Sequence, residues 1–149
     1  MSLEEDIRQE KFKSEYDKMM LNILYTGSWL YNRDASRFKP YDITPEQYNV
    51  MRILRGSHPE PMMLTDITSR MLNKSSNATR LVEKLRQKSL VRREIREDNR
   101  RQVDISITDK GLNMLKKIDG ESAEWMSGLK RITKAEATEL NRILDKLRG

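Results

Sequence analysis

Apolar and aromatic side chains at Ile7, Phe12, Tyr16, Met19, Met20, Ile23, Leu24, Trp29, Leu30 and Tyr31 recur close to the helical period, with charged residues between them. The spacing predicts one long amphipathic helix from Ile7 to about Ala35, bent near Gly27. A loop through Lys39-Pro40-Tyr41-Asp42 ends it, because proline disfavours helical backbone in the residue before it. Thr44-Pro45-Glu46-Gln47 then combines an N-cap, a proline in the first turn and a capping-box glutamine, three signals for a helix start. Tyr48, Met51, Ile53 and Leu54 supply its buried side and Gly56 stops it. Two prolines in three residues make Ser57-His58-Pro59-Glu60-Pro61 a loop, with His58 exposed in it.

From Thr65 to Met71 the pattern predicts a short helix capped by Thr65, with Ile67, Met71 and Leu72 facing inward. After Asn73-Lys74 a second helix is expected from about Ser75 to Lys88, burying Ala78, Leu81, Val82 and Leu85. Its first turn and opposite side carry Ser75, Ser76, Asn77, Thr79, Arg80 and Lys84. A helix built only for packing has no need of so polar a first turn. At Val91 the period changes from about 3.6 to 2. Val91, Arg93 and Ile95 alternate with Arg92 and Glu94, and Val103, Ile105 and Ile107 alternate with Asp104 and Ser106. Joined by Arg96-Glu97-Asp98-Asn99-Arg100-Arg101-Gln102, these two strands make a hairpin with a polar, arginine-rich tip. Thr108 caps a helix passing Leu112, Leu115, Ile118 and Trp125 to a break near Gly128. Thr133-Lys134-Ala135-Glu136 is a complete capping box for a last helix bearing Ala137, Leu140, Ile143, Leu144 and Leu147. There is no internal repeat and no low-complexity tract.

Helix, turn, helix and basic hairpin in that order are the sequence form of a winged helix-turn-helix, which places one helix in the DNA major groove and a loop beside it. Charge agrees with this. Between Met62 and Ile107 eleven bases face six acids, so the segment carries +5 of the formal +6 of the chain. Such a surface concentrates a polyanion and gains free energy from released counterions; the alternative is a merely solvated charged face.

A length of 149 residues fits a single domain over 1–149, and 36% hydrophobic against 35% charged residues is lean for long helices. Some apolar surface is therefore expected to be completed by a second subunit. No apolar run approaches the ~18 residues needed to span a bilayer, and the acidic start Leu3-Glu4-Glu5-Asp6 lacks the regions of a signal peptide. A cytoplasmic protein without membrane contact is expected. The chain has no cysteine, hence no disulfide, thiol switch or thiolate metal site. His58 has no second histidine beside it, so neither metal nor other cofactor is expected. Without a phosphate-cradling glycine loop, nucleophile elbow or His/Cys cluster, the sequence argues against an enzyme.

The chain resembles the multiple-antibiotic-resistance regulator (MarR) family of bacterial transcription factors. The resemblance covers Thr44 to about Leu147 and rests on Leu54-Arg55-Gly56, Thr79-Arg80-Leu81-Val82-Glu83-Lys84-Leu85, Leu90-Val91-Arg92-Arg93, and Asp98-Asn99-Arg100-Arg101 ahead of Ile107-Thr108-Asp109-Lys110-Gly111. Each piece alone is weak; their order and spacing are specific. The family has an aspartate nine residues before the helix-capping threonine and an arginine two residues after that aspartate. Counting back from Thr108 places Asn99 at the aspartate position and Arg101 at the arginine position; counting from Asp98 selects Arg100 instead. Strand alternation fixes the register near Thr108 and favours Arg101 as the minor-groove arginine.

The resemblance implies a mainly α fold with a small β-hairpin wing, a DNA-binding lobe over 44–107, and a homodimer formed through helices at 4–35 and 108–148. It also implies a pseudo-palindromic operator in double-stranded DNA. Lys74, Arg80, Lys84 and Arg92 would then position phosphates, Ser75, Ser76, Asn77 and Thr79 would read bases, and Arg100 and Arg101 would enter the minor groove. A small aromatic anion is the effector class the family suggests, with Tyr25, Trp29, Tyr31, Tyr48, Met51 and Arg52 as candidate lining; the alternative for these residues is ordinary core packing. The leading function is a dimeric transcriptional repressor released by a ligand. The alternative is a winged-helix protein-interaction or architectural DNA-binding module without effector control.

Overall fold

A computed structural model describes residues 1–149. It opens with a single-turn helix α1 (Leu3–Ile7) and continues with α2 (Glu15–Phe38), a 3-10 turn (Lys39–Tyr41) and α3 (Pro45–Ser57). The lobe that follows contains β1 (Met62–Met63), α4 (Leu64–Arg70), α5 (Ala78–Gln87), β2 (Val91–Ile95) and β3 (Val103–Ile107). Three more helices complete the chain: α6 (Asp109–Gly120), α7 (Ser122–Ser127) and α8 (Lys134–Arg148). The result is a mainly helical winged helix-turn-helix.

The expected single N-terminal helix is two helices. Arg8 adopts left-handed backbone after α1, and the Ser14 side chain accepts the Asp17 amide at 3.1 Å, so the long helix starts at Glu15. Ser14 is an N-cap signal that the apolar periodicity hid. Gly27 introduces no break, and α2 runs on to Phe38 before Asp42, again left-handed, ends the 3-10 turn. The Thr44 capping box forms as expected, with Gln47 and Thr44 exchanging bonds of 3.0 and 3.2 Å.

Met62 and Met63 form a short strand that the sequence did not reveal. The sheet order is β1-β3-β2, all antiparallel, with Met62 opposite Ile105, Arg93 opposite Ile105, and Val91 opposite Ile107. This pairing sets where α4 begins. Met63, not Thr65, occupies the cap position, with no side-chain cap. Past α4, Met71 is extended and buried while Leu72 turns outward to 92% exposure, contrary to the inward position expected for it; the Leu72 amide donates to Asn49 Oδ1 at 2.9 Å.

One apolar core joins Phe38 of α2, Val50, Met51 and Leu54 of α3, Ile67, Val82, Leu85, Leu90, the inner sheet residues Ile105 and Ile107, and Leu115 and Ile118 of α6. The break expected near Gly128 is present, with Gly128 as the C-cap of α7, and a further one at Glu121 separates α6 from α7. Helix α8 has its capping box but no buried residue, and α2 buries only Phe38. Tyr16, Met20, Ile23 and Leu24 on α2, and Leu140, Ile143 and Leu147 on α8, lie exposed. No helix is long and apolar enough to cross a membrane.

Candidate nucleic-acid interface

Helix α5 buries Ala78, Val82 and Leu85 and presents Thr79, Arg80 and Lys84 outward. It is three residues shorter at its start than the polar pattern suggested. Asn73 Oδ1 accepts the Ser75 amide at 3.0 Å and the Asn73 carbonyl accepts that of Ser76, a turn that competes with helix at those residues. Asn77 is then the N-cap, its Oδ1 accepting the Arg80 amide at 3.0 Å. The expected first-turn readers thus divide: Lys74, Ser75 and Ser76 belong to the turn, Asn77 closes the helix end, and Thr79 and Arg80 sit on the first helical turn.

The eleven bases of the lobe also divide. Arg86 is held by Glu83 through bonds of 2.9 and 2.7 Å, Arg96 by Asp98 through bonds of 3.0 and 2.9 Å, and Lys88 lies 3.2 Å from Asp42. The pairing holds the Glu83 and Asp98 carboxyls below their ordinary range. Arg70, Lys74, Arg80, Lys84, Arg92, Arg93, Arg100 and Arg101 form no ion pair within the chain. The cations left over are therefore concentrated on the turn, the outward side of α5 and the hairpin.

At the wing tip Asn99 Oδ1 accepts the Arg101 amide at 3.1 Å, and the Asn99 carbonyl accepts that of Gln102 at 2.9 Å. Asp98 turns back to Arg96, so neither Arg100 nor Arg101 has an aspartate partner. The register distinguishes the hairpin's faces. Val91, Arg93 and Ile95 share the side of Ile105, whereas Arg92 lies opposite Ser106 on the other side. Arg93, together with Arg101, lines a cleft against Thr79 and Glu83 of α5. The sequence reading named Arg92 from this strand. Arg93 was legible from the alternation, since it shares the parity of buried Val91.

The fold agrees with that of known proteins. The MarR family model matches residues 43–103. MgrA of Staphylococcus aureus, an HTH-type transcriptional regulator, is 27% identical over 126 residues, covering 83% of this chain and 84% of MgrA. A MarR transcription factor from Planctomyces limnophilus has 29% identity and a TM-score of 0.70, covering 91% of this chain and 98% of its own. Over residues 43–103 the chain is similar to the MarR family. The relatives it matches are transcriptional regulators. E. coli MarR in complex with operator DNA superposes with a TM-score of 0.80 at 18% identity, covering 93% of this chain and 99% of that one.

The MarR fold here also carries a cavity of about 750 Å³ between α2, α3, the helix turn and α7. Of the candidate ligand residues, Tyr31, Tyr48 and Arg52 line it. Met51 does not: it is fully buried in the core, at the helical spacing that Val50 and Leu54 share. Tyr25 and Trp29 stand half-exposed on α2 outside the cavity. Residues not foreseen from sequence are more telling. Arg33 and Arg37, one turn apart on α2, donate through Nη2 to the carbonyls of Trp125 and Ile118, each at 3.1 Å, and so cap α7 and α6. Their guanidinium carbons lie 5.7 and 5.1 Å from the Trp125 ring centroid. Arg33 Nε, Arg37 Nε and Trp125 Nε1 are buried donors without acceptors. Nearby, burial raises the Asp34 carboxyl above its ordinary value despite Arg37 and Arg33, and burial with the Glu46 hydrogen bond raises the Tyr31 hydroxyl.

Proposed function

We propose that this protein is a homodimeric repressor that binds a pseudo-palindromic operator and is released by a small anion. The observation that carries the DNA reading is the segregation of unpaired cations onto the turn, α5 and the wing. Within that face Lys74, Arg80 and Lys84 position the phosphates, and Ser75, Ser76 and Thr79 offer hydroxyls to base edges. Asn77 has its oxygen committed to the helix end and retains its amide donors for a base. Arg100 and Arg101 enter the adjacent minor groove. Selecting bound duplexes from a random pool tests the reading: two related half-sites about one helical turn apart are expected. Equal retention of scrambled duplex at physiological salt would instead favour an architectural role.

The exposed apolar faces of α2 and α8 support association of 4–35 and 108–148 with a second copy. Sedimentation at micromolar concentration should give about twice the chain mass. Effector control is supported by the cavity beside Trp125, where buried donors lack acceptors and Tyr31, Tyr48 and Arg52 supply ring faces and a further cation. A small aromatic carboxylate matches that chemistry, and by linkage operator must weaken its binding by the same factor that it weakens operator binding. Titration with salicylate, followed by tryptophan fluorescence with and without operator, measures both sides.

A further inference from the structure

We propose that the cleft between α5 and the wing is the seat of one sugar-phosphate strand of the operator, and that Arg93 is its phosphate contact. This rests on the DNA-binding reading above and assigns a residue that reading leaves out. The first observation is register. On the inner side of β2, Val91 is 2% exposed, Arg93 stands directly opposite Ile105, itself 1% exposed, and Ile95 reaches 64% exposure toward the tip. An inward parity next to a buried core strand favours an apolar side chain. Here it holds an arginine.

The second observation is that no ion pair or hydrogen bond engages this charge, although the Glu83 carboxylate of the same cleft lies within its field. Arg93 has neither an ion pair nor a side-chain hydrogen bond, because the nearby Glu83 carboxylate is taken by Arg86 through two bonds of 2.9 and 2.7 Å. Arg101, on the same side of the hairpin, is equally free at its guanidinium.

The third is shape. The cleft has a volume of about 490 Å³, with Thr79 on one wall, Arg93, Arg101 and Gln102 on the other, and Leu64 and Val103 among its apolar lining. A helix in the major groove and a wing tip in the neighbouring minor groove must straddle the strand that separates those grooves. That strand presents an apolar deoxyribose and an anionic phosphate, which match the lining and the unpaired arginine in turn. A guanidinium can hold a phosphate through two parallel N–H donors, whereas the cleft has no second free cation on its α5 wall.

The test compares binding of the full-length wild type, Arg93→Ala and Arg93→Lys to operator and to scrambled duplex across a salt series. Loss of one phosphate contact from each subunit of the dimer should lower affinity by a similar factor on both duplexes and make the log–log salt slope shallower by about 1.8, or about 0.9 per contact. Arg93→Lys should keep the slope. Replacing single operator phosphates by neutral methylphosphonates should reveal one position whose neutralisation weakens the wild type but not Arg93→Ala. An unchanged slope in a folded Arg93→Ala protein overturns the proposal, as does a methylphosphonate effect that persists undiminished without Arg93. A wild type that binds no duplex at any salt overturns the DNA-binding reading together with it.

Discussion

Asn77 is the residue at which stability and recognition can be separated most cleanly. Its Oδ1 accepts the Arg80 amide at 3.0 Å, one of the amides at the start of a ten-residue helix that have no partner within the helix itself. Removing an N-cap of this kind costs ~1 kcal/mol, within a range of about 0.5–2. Ala78, Val82 and Leu85 are buried in the core, so α5 stays docked and the loss is confined to its first turn. For a chain of this size ~1 kcal/mol corresponds to a fall in Tm of about 3 °C. Asn77→Ala should show that fall in far-UV circular dichroism melts. Asn77→Asp keeps the acceptor and places a negative charge at a helix N-terminus, where it is favourable, so its Tm should match or exceed wild type. The same charge faces phosphate, so Asp should weaken operator binding although the fold is intact. An Asn77→Ala protein with unchanged Tm, or an Asn77→Asp protein that melts as early as Ala, would refute the capping argument.

Three further outcomes are expected. A Cβ on Gly111 would lie 2.5 Å from the Leu90 carbonyl oxygen and 2.7 Å from Ile107 Cγ1, so Gly111→Ala should lose about 1–3 kcal/mol in urea denaturation as α6 is forced off the wing's base. Burial raises the Asp34 carboxyl, so the unfolded chain releases this proton first and stability attributable to Asp34 falls as pH rises through the window just above 3.8; Asp34→Asn should therefore raise Tm at neutral pH and lose that advantage in acid below 3.8. Replacing Arg100 and Arg101 with alanine should weaken binding across operator variants with little change in their ranking, because both side chains are unpaired and a guanidinium in the minor groove reads width and potential; a changed ranking at constant affinity would count against it.

The elements that the sequence made legible are those whose signals are local. Thr44, Thr108 and Thr133 cap helices because their hydroxyls reach amides three residues on, and the alternation from Val91 to Ile107 predicts the hairpin. What stayed hidden depends on partners distant in the chain. Met62-Met63 is a strand only because Ile105 and Asp104 lie beside it, and that pairing displaced the expected cap at Thr65. Competition between local signals misled elsewhere: Ser14 starts a helix inside an apparently continuous periodicity, and Asn73 holds Ser75 and Ser76 in a turn. Aromatic side chains on α2 draw attention to Tyr25 and Trp29, which lie outside the cavity, whereas Arg33 and Arg37 gain their roles from carbonyls on α7 and α6 that no spacing in α2 discloses.

The three-stranded sheet has its last-made strand in the middle. Both β1 and β2 hydrogen-bond only to β3, so in vectorial synthesis the two outer strands emerge before anything exists for them to pair with. Helices α2, α3, α4 and α5 can begin to assemble while the sheet edge at Met62-Met63 and the strand from Val91 remain open, and an open edge is an invitation to another chain. The two-residue length of β1 and the charged side chains of Arg92, Arg93 and Glu94 are features that blunt such edges. Translation through Ile107 is the moment at which the lobe closes, and a nascent chain cut short inside the wing would carry α5 with no sheet to set it on.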